Sequence, residues 1–261
     1  MTNNLLYDII NYIIIKEVIL IKIRPLLNSI NEATFLREYL STCGIADVDA
    51  YLNPDKIEYQ SPDMYKNMDV AVLLLKQHLT KMSKIAVLCD TDSDGWCSCF
   101  IICDMLRRLG AEYKPFFHTV AKAHGIKVDS SDKVINDILK YKPSLLIIPD
   151  ASADRESCQT LREHECDVII LDHHSYDFSN NPYAVIVNCL QQPETNQAAS
   201  GALVTSKFAN AVLNNDEDIY SDLVAMSLIS DVMDLRSLEN RAYINQWQKD
   251  YEQFVNNKIS S

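Results

Sequence analysis

The sequence predicts an α/β protein: a parallel five-stranded sheet flanked by helices, with a helical N-terminal lead-in and a helical C-terminal end. Three observations carry that prediction. From residue 85 onward, short and wholly apolar runs of strand length alternate with helical patterns, which is how parallel strands covered on both faces read. Hydrophobic residues make up 48% of the 261 residues, enough for a substantial core. Acidic or imidazole residues follow directly after three of the apolar runs, and parallel sheets bind ligands at the carboxyl ends of their strands.

The elements follow in order. Residues 26–84 read as largely helical. Apolar residues fall at helical spacing from Asn31 to Leu40, with Cys43 and Gly44 as a stop, and the pattern resumes over 64–82. Ile85–Cys89 is the first strand, followed by Asp90, Thr91, Asp92, Ser93, Asp94 and Gly95. Trp96–Leu109 reads as a helix stopped by Gly110, and Glu112–Phe117 as a second strand. Ser130–Lys140 reads as a helix capped by Ser130 or Ser131. Ser144–Pro149 is a third strand ending at Asp150, and Asp154–Glu165 a helix. Asp167–Leu171 is a fourth strand ending at Asp172, His173 and His174, and Ala184–Val187 a fifth. Everything from Ala198 reads as helical. The expected organisation is a helical lead-in over 1–84, an α/β domain over 85–235 and a C-terminal helix over 236–261.

Composition narrows the function. A net charge of -12 argues against clamping nucleic acid over the whole surface, but leaves room for a local groove or for cations that offset acidic ligands. The eight cysteines and the lack of a visible signal-peptide cleavage site suggest reduced thiols and a cytoplasmic protein. Cys97, Cys99 and Cys103 lack zinc spacing and a nearby histidine. The Ile/Leu-rich stretch Leu5–Ile23 is interrupted by Asp8, Asn11, Lys16, Glu17 and Lys22. A membrane span needs about 20 mostly uncharged apolar residues, so an amphipathic helix or a buried strand is expected instead.

Asp90, Asp92 and Asp94 are three carboxylates within five residues, and they repel each other unless cations sit between them. A solvated acidic turn is the plain alternative. A calcium loop lacks its terminal Glu here, because Trp96, Cys97 and Cys99 follow instead. Asp150 closes a strand, a place where a lone Asp also serves as a cap or turn residue. Asp172, His173 and His174 place two imidazoles after a buried strand, and neutral imidazole is a frequent metal ligand. A polar loop is the plain reading of that triplet. Taken together, mixed carboxylate and imidazole ligands suit manganese and, to a lesser degree, magnesium. A bridging carboxylate can hold two such ions about 4 Å apart, activating a water for attack on phosphorus.

These segments resemble the DHH phosphoesterase superfamily, named for the triplet seen here at Asp172–His174, and within it the RecJ single-strand-specific 5′ to 3′ DNA exonucleases. The likeness is carried by Cys89–Gly95, Ile148–Asp150, Ile169–His174, Ala199–Phe208 and Ile229–Leu235, with Glu239–Arg241 following. It runs from roughly residue 30 to 245. The resemblance implies that Asp90 and Asp92 serve one metal ion, and that Asp94, His173 and Asp231 serve another. It implies that Asp150 bridges the two, that His174 faces the scissile phosphate and that Asp172 orients the histidines from behind. It also implies that Lys122, His124, Ser200 and Gly201 lie on the substrate side. Asp234 rivals Asp231, and the order of motifs favours Asp231.

There are departures. Ala151, Ser152 and Ala153 follow Asp150 where the family usually carries a glycine. Lys122 stands where an arginine is usual, and lysine is the poorer bidentate phosphate ligand. None of the five glycines lies beyond Gly201, so the family's glycine-rich substrate-binding second domain is expected to be absent and its clamp to come from a protein partner. The expectation is therefore a RecJ-like, two-metal phosphodiesterase acting on single-stranded DNA from the 5′ end. The alternatives are a phosphodiesterase of short oligoribonucleotides or cyclic dinucleotides, and a non-catalytic module of a replication or repair assembly.

Overall fold

A computed structural model describes residues 34–55, 58–120, 124–127, 132–175, 181–215 and 218–259. The Ile/Leu-rich N-terminal stretch, Ser130, Ser131 and Lys122 lie outside them. The chain forms two compact units, Met1–Val48 and Asp49–Ser261. In the first, helix α1 (Phe35–Thr42) starts later than the pattern from Asn31 suggests, and Gly44 follows it in the left-handed region at φ +86°.

In the second unit, α2 (Val48–Leu52, beginning at the boundary) and α3 (Met68–Thr80) precede the sheet. Five strands follow: β1 (Ile85–Cys89), β2 (Tyr113–Phe117), β3 (Leu145–Pro149), β4 (Asp167–Asp172) and β5 (Val185–Asn188). They lie in the order β2-β1-β3-β4-β5, and every pair is parallel. Helices α4 (Ser93–Arg108), α5 (Val134–Tyr141) and α6 (Arg155–Glu163) make the crossovers, and α7 (Gly201–Leu213), α8 (Ser221–Ser230) and α9 (Leu238–Ile259) close the chain.

The uninterrupted apolar strands have a direct cause. Ile85, Val87, Leu145, Ile147, Ile169 and Leu171 pack into a core shared with α3, α4, α7 and α8. Their alternating neighbours Ala86, Leu88, Leu146, Ile148, Val168 and Ile170 pack on the other face with α5 and α6. A strand buried on both faces has no polar side to show. All eight cysteines are free thiols, and six of them are buried.

The edge strands carry two local features. Pro115 sits mid-strand in β2, paired with Val87 on its inner side. At the other edge, Asn67 Nδ2 donates to the carbonyl of Ile186 on β5 at 2.8 Å.

Boundaries shift where side chains cap. Asp92 accepts from the Gly95 amide at 2.9 Å and caps α4, so Ser93 and Asp94 lie in its first turn, three residues earlier than the sequence pattern shows. At α5 the Asp132 carboxylate accepts from the Val134 amide at 3.2 Å. The helix starts at Val134, after the expected Ser130 or Ser131.

Helix α9 is anchored by a buried ion pair. Lys207 Nζ lies 2.7 Å from Glu239 Oε1, with side chains 4% and 3% exposed. Glu239 also accepts from the Gln60 amide and from Asn196 Nδ2, and the stacked rings of Tyr59 and Tyr243 flank the ammonium. Breaking a buried pair strands one charge without water. Glu239→Ala should therefore destabilise the protein by about 3–5 kcal/mol in urea unfolding, whereas Lys207→Met with Glu239→Gln together should cost less. Equal losses in both would mean that the pair is not dry.

Candidate metal and phosphoester site

The strand order reverses direction between β1 and β3, and in a 2-1-3-4-5 sheet the ligand crevice opens there. The loops after β1, β3 and β4 bring Asp90, Asp92, Asp94, Asp150, Asp172, His173 and His174 to that crevice, and the end of α8 adds Asp231.

Asp150 is the centre. It follows β3 in the left-handed region at φ +58°, an uncommon conformation for a residue with a side chain. Its amide donates to Leu171 O at 2.8 Å. Its carboxylate is 1% exposed, and neither oxygen accepts a hydrogen bond. Burial first, then the charges of Asp94, Asp92 and Asp172, push its carboxyl well above the usual range.

Asp94 stands at the N-terminus of α7, accepting from the Gly201 amide at 2.7 Å and the Ala202 amide at 2.8 Å. A carboxylate at a helix N-terminus gains up to about 2 kcal/mol in a partly buried setting. Its pKa still lies above the ordinary value, because burial outweighs those bonds and the nearby His173. Asp90 behaves oppositely. Burial pushes it up, but His118 and His124 outweigh that and hold it far below the usual range. His124 Nδ1 is 2.5 Å from Asp90 Oδ2, and His118 Nε2 is 3.4 Å from Oδ1. His118 Nδ1 in turn bonds Asp132.

Asp172 accepts at Oδ1 from the amides of His173 (2.8 Å) and His174 (3.2 Å), and pairs with His174 Nδ1 at 2.8 Å. That hydrogen bond, working against burial, raises the His174 pKa. His173 Nε2 lies 3.2 Å from Asp150 Oδ1, and 3.7 Å from both Asp94 Oδ2 and Asp231 Oδ2. Asp231 faces this group, whereas Asp234 is paired with Arg236 at 2.6 Å.

Three sets of these residues bring one ligand atom each to within 4.8 Å of one another: Asp90, Asp92 and Asp150; Asp94, His173 and Asp231; and Asp150, His173 and His174. The donors are hard oxygens and imidazole nitrogens, and those of Asp150 are buried without a partner. Such a set fits divalent cations of the manganese and magnesium type.

Two glycines make the crowding sterically feasible. A Cβ on Gly201 would lie 2.2 Å from Asp150 Oδ1, and one on Gly95 would lie 2.6 Å from the Asp90 Cβ. Ser200 is fully buried, caps α7 and bonds the Ser227 hydroxyl at 2.6 Å. Ser200 and Gly201 thus sit directly against the carboxylates, with the Gly201 amide donating to Asp94. His124 is 44% exposed in its side chain, and its ring centroid lies 4.6 Å from that of His174. His118 and Asp132 were not singled out from sequence. The signal was there, since His118 follows the end of β2 just as Asp90 follows β1.

Carboxylates and imidazoles gathered at the switch point of a parallel sheet make this an α/β protein with clusters that could hold divalent cations. Residues 84–230 match the DHH family, N-terminal domain, and the chain belongs to that family. It is 29% identical over 220 residues to YorK of Bacillus subtilis (strain 168), a prophage-derived protein described as a candidate single-strand DNA-specific exonuclease. That match covers 82% of this chain and 37% of YorK. It is 27% identical over 195 residues to the single-stranded-DNA-specific exonuclease RecJ of the same organism, covering 73% of this chain and 24% of RecJ. Among solved structures, exonuclease RecJ bound to manganese superposes with a TM-score of 0.62 at 26% identity, over 70% of this chain and 47% of the other. This chain therefore spans well under half the length of its curated relatives. Among the described residues no helix is long and apolar enough to cross a membrane.

An unpartnered buried carboxylate costs folding energy until a cation joins it. Asp150→Asn, which keeps the shape and removes the charge, should raise the Tm of the chelator-treated protein by roughly 2–4 °C for each kcal/mol relieved. The same change should abolish the Tm increase that manganese gives the parent. A variant no more stable than the parent in chelator would show that Asp150 already has a partner.

Proposed function

We propose that this chain is a RecJ-like phosphodiesterase that releases nucleotides from the 5′ end of single-stranded DNA in the cytoplasm, with two manganese ions as cofactor and magnesium as the weaker substitute. The observation that carries the proposal is the pair of ligand sets meeting at a buried carboxylate with no hydrogen bond of its own. The names of the relatives support single-stranded DNA as substrate.

In this reading Asp90, Asp92 and Asp150 hold one ion, and Asp94, His173, Asp231 and Asp150 the other. Bound there, such a pair supplies Lewis acidity that lowers the pKa of a water and offsets charge on the phosphoryl oxygens. Asp172 accepts a hydrogen bond from the Nδ1–H of His174, which fixes the ring's orientation and leaves Nε2 for the scissile phosphate. The half-exposed His174 ring is thereby held in one orientation at the mouth of the crevice. His124, half exposed beside it, adds a second imidazole there. Lys122, expected to neighbour it on the substrate side, belongs to the same proposal.

Hydrolysis of 5′-labelled single-stranded DNA and a matched RNA, with manganese and then with chelator, tests this. Manganese-dependent mononucleotide release, faster on DNA, is expected. Release from RNA alone would move the substrate to oligoribonucleotides, and no release from either by a manganese-loaded protein would sink the reading.

Variants refine the assignment. Asp150→Ala should abolish release. Asp172→Asn should lower it about 10–100-fold, as loss of a residue orienting a ligand does. Asp231→Ala should lose activity while Asp234→Ala keeps it, and the reverse pattern would exchange their roles.

A further inference from the structure

Three large aromatic side chains beside the site stand in solvent. Trp96 is 55% exposed, Phe100 59% and Phe117 48%. Trp96 and Phe117 already stack, with ring centroids 5.3 Å apart and planes at 28°. Phe100 lies one turn beyond Trp96 on α4, about 6 Å along the helix axis. Single exposed apolar residues are ordinary, but a contiguous aromatic patch beside a polar crevice marks a binding surface.

The placement of the pair says what it faces. Trp96 is two residues past Asp94 on α4, whose first turn is fixed by the Asp92 cap. Phe117 is the last residue of β2, paired in register with Cys89. It directly precedes His118, which contacts Asp90. The two rings therefore extend one wall of the phosphoester crevice outward, on rigid elements. Charge on α4 does not offer an alternative attraction. Arg107 and Arg108 sit at its far end and are tied to Asp104 at 2.6 and 2.5 Å, in a chain whose net charge is -12.

We infer that Trp96 and Phe117, with Phe100 beyond them, form a stacking platform that receives the nucleobases of a single strand whose phosphate lies in the crevice. The inference rests on the phosphodiesterase reading and adds how the strand is held. Every base offers a π-face, so the platform binds without base preference. Ring stacking also keeps affinity at salt concentrations that weaken phosphate contacts.

The test uses the full chain with Trp247→Phe, which leaves Trp96 as the sole tryptophan. An oligothymidylate of roughly 10 nucleotides, within the usual range of single-strand site sizes, is titrated in while Trp96 emission is followed. Quenching is expected. A labelled form of the same oligonucleotide should bind Trp96→Leu and Phe117→Leu on the order of tenfold more weakly. Trp96→Tyr should restore affinity, because it restores a ring rather than bulk. In steady-state hydrolysis the Leu variants should raise KM with kcat little changed.

Unaltered Trp96 emission at saturating oligonucleotide, or equal affinity in the Leu variants, overturns the inference and leaves the patch to a protein partner. A chain that hydrolyses DNA with unaltered emission loses the platform and keeps the phosphodiesterase. A chain whose emission is quenched but which cleaves nothing keeps the platform and loses the enzyme.

Discussion

Asp150 is held at the centre of the sheet with its carboxylate buried, its backbone left-handed and both oxygens lacking a hydrogen bond. Asp90, Asp92 and Asp94 approach from β1 and α4, and Asp172 from β4. In an interior where charge is poorly screened, that gathering opposes folding. The rest of the chain supplies what makes it tolerable. The α7 amides take up Asp94, two histidines take up Asp90, and the amides of the His173–His174 turn take up Asp172. Asp150 has neither oxygen hydrogen-bonded, and His173 Nε2 lies 3.2 Å from its Oδ1. Cost concentrated on one atom pair in this way is what distinguishes a site built for an absent charge from a merely acidic turn.

The same chemistry explains what could be read from sequence. Strands buried on both faces must be apolar throughout, so their ends were visible, and β1, β3 and β4 each end on or directly before an aspartate. Asp90, Asp150 and Asp172 were found by that logic. The helix start at Ser93 was missed because the Asp92 cap competes with its reading as a ligand, and the structure gives Asp92 both a capping bond and a place in a ligand set. His118 was legible from its place after β2, whereas Asp132 was not, because its partnership with His118 spans 14 residues and a loop. The α7 terminus gives its Gly201 and Ala202 amides to Asp94, a pairing between distant segments that no local pattern encodes.

The three imidazoles of His173, His174 and His124 differ in character. His173 is nearly buried among three carboxylates, whereas His174 and His124 are half exposed with their rings close together. Burial thus grades the histidines from the interior to the mouth of one crevice. The DHH triplet keeps that gradation in two consecutive residues because Asp172 turns the backbone with its own carboxylate.

Pro115 and Asn67 have a consequence for how this chain can associate with others. An edge strand is a template for pairing, because its outer N–H and C=O groups await a partner. On β2, Pro115 removes one donor outright. On β5, the Asn67 amide already occupies the Ile186 carbonyl. Neither margin presents a clean ladder, so the sheet is discouraged from growing by strand addition, whether from a second copy or from an extended peptide. Strand addition is thus disfavoured at both margins of the sheet, which turns association toward helices, loops or the crevice.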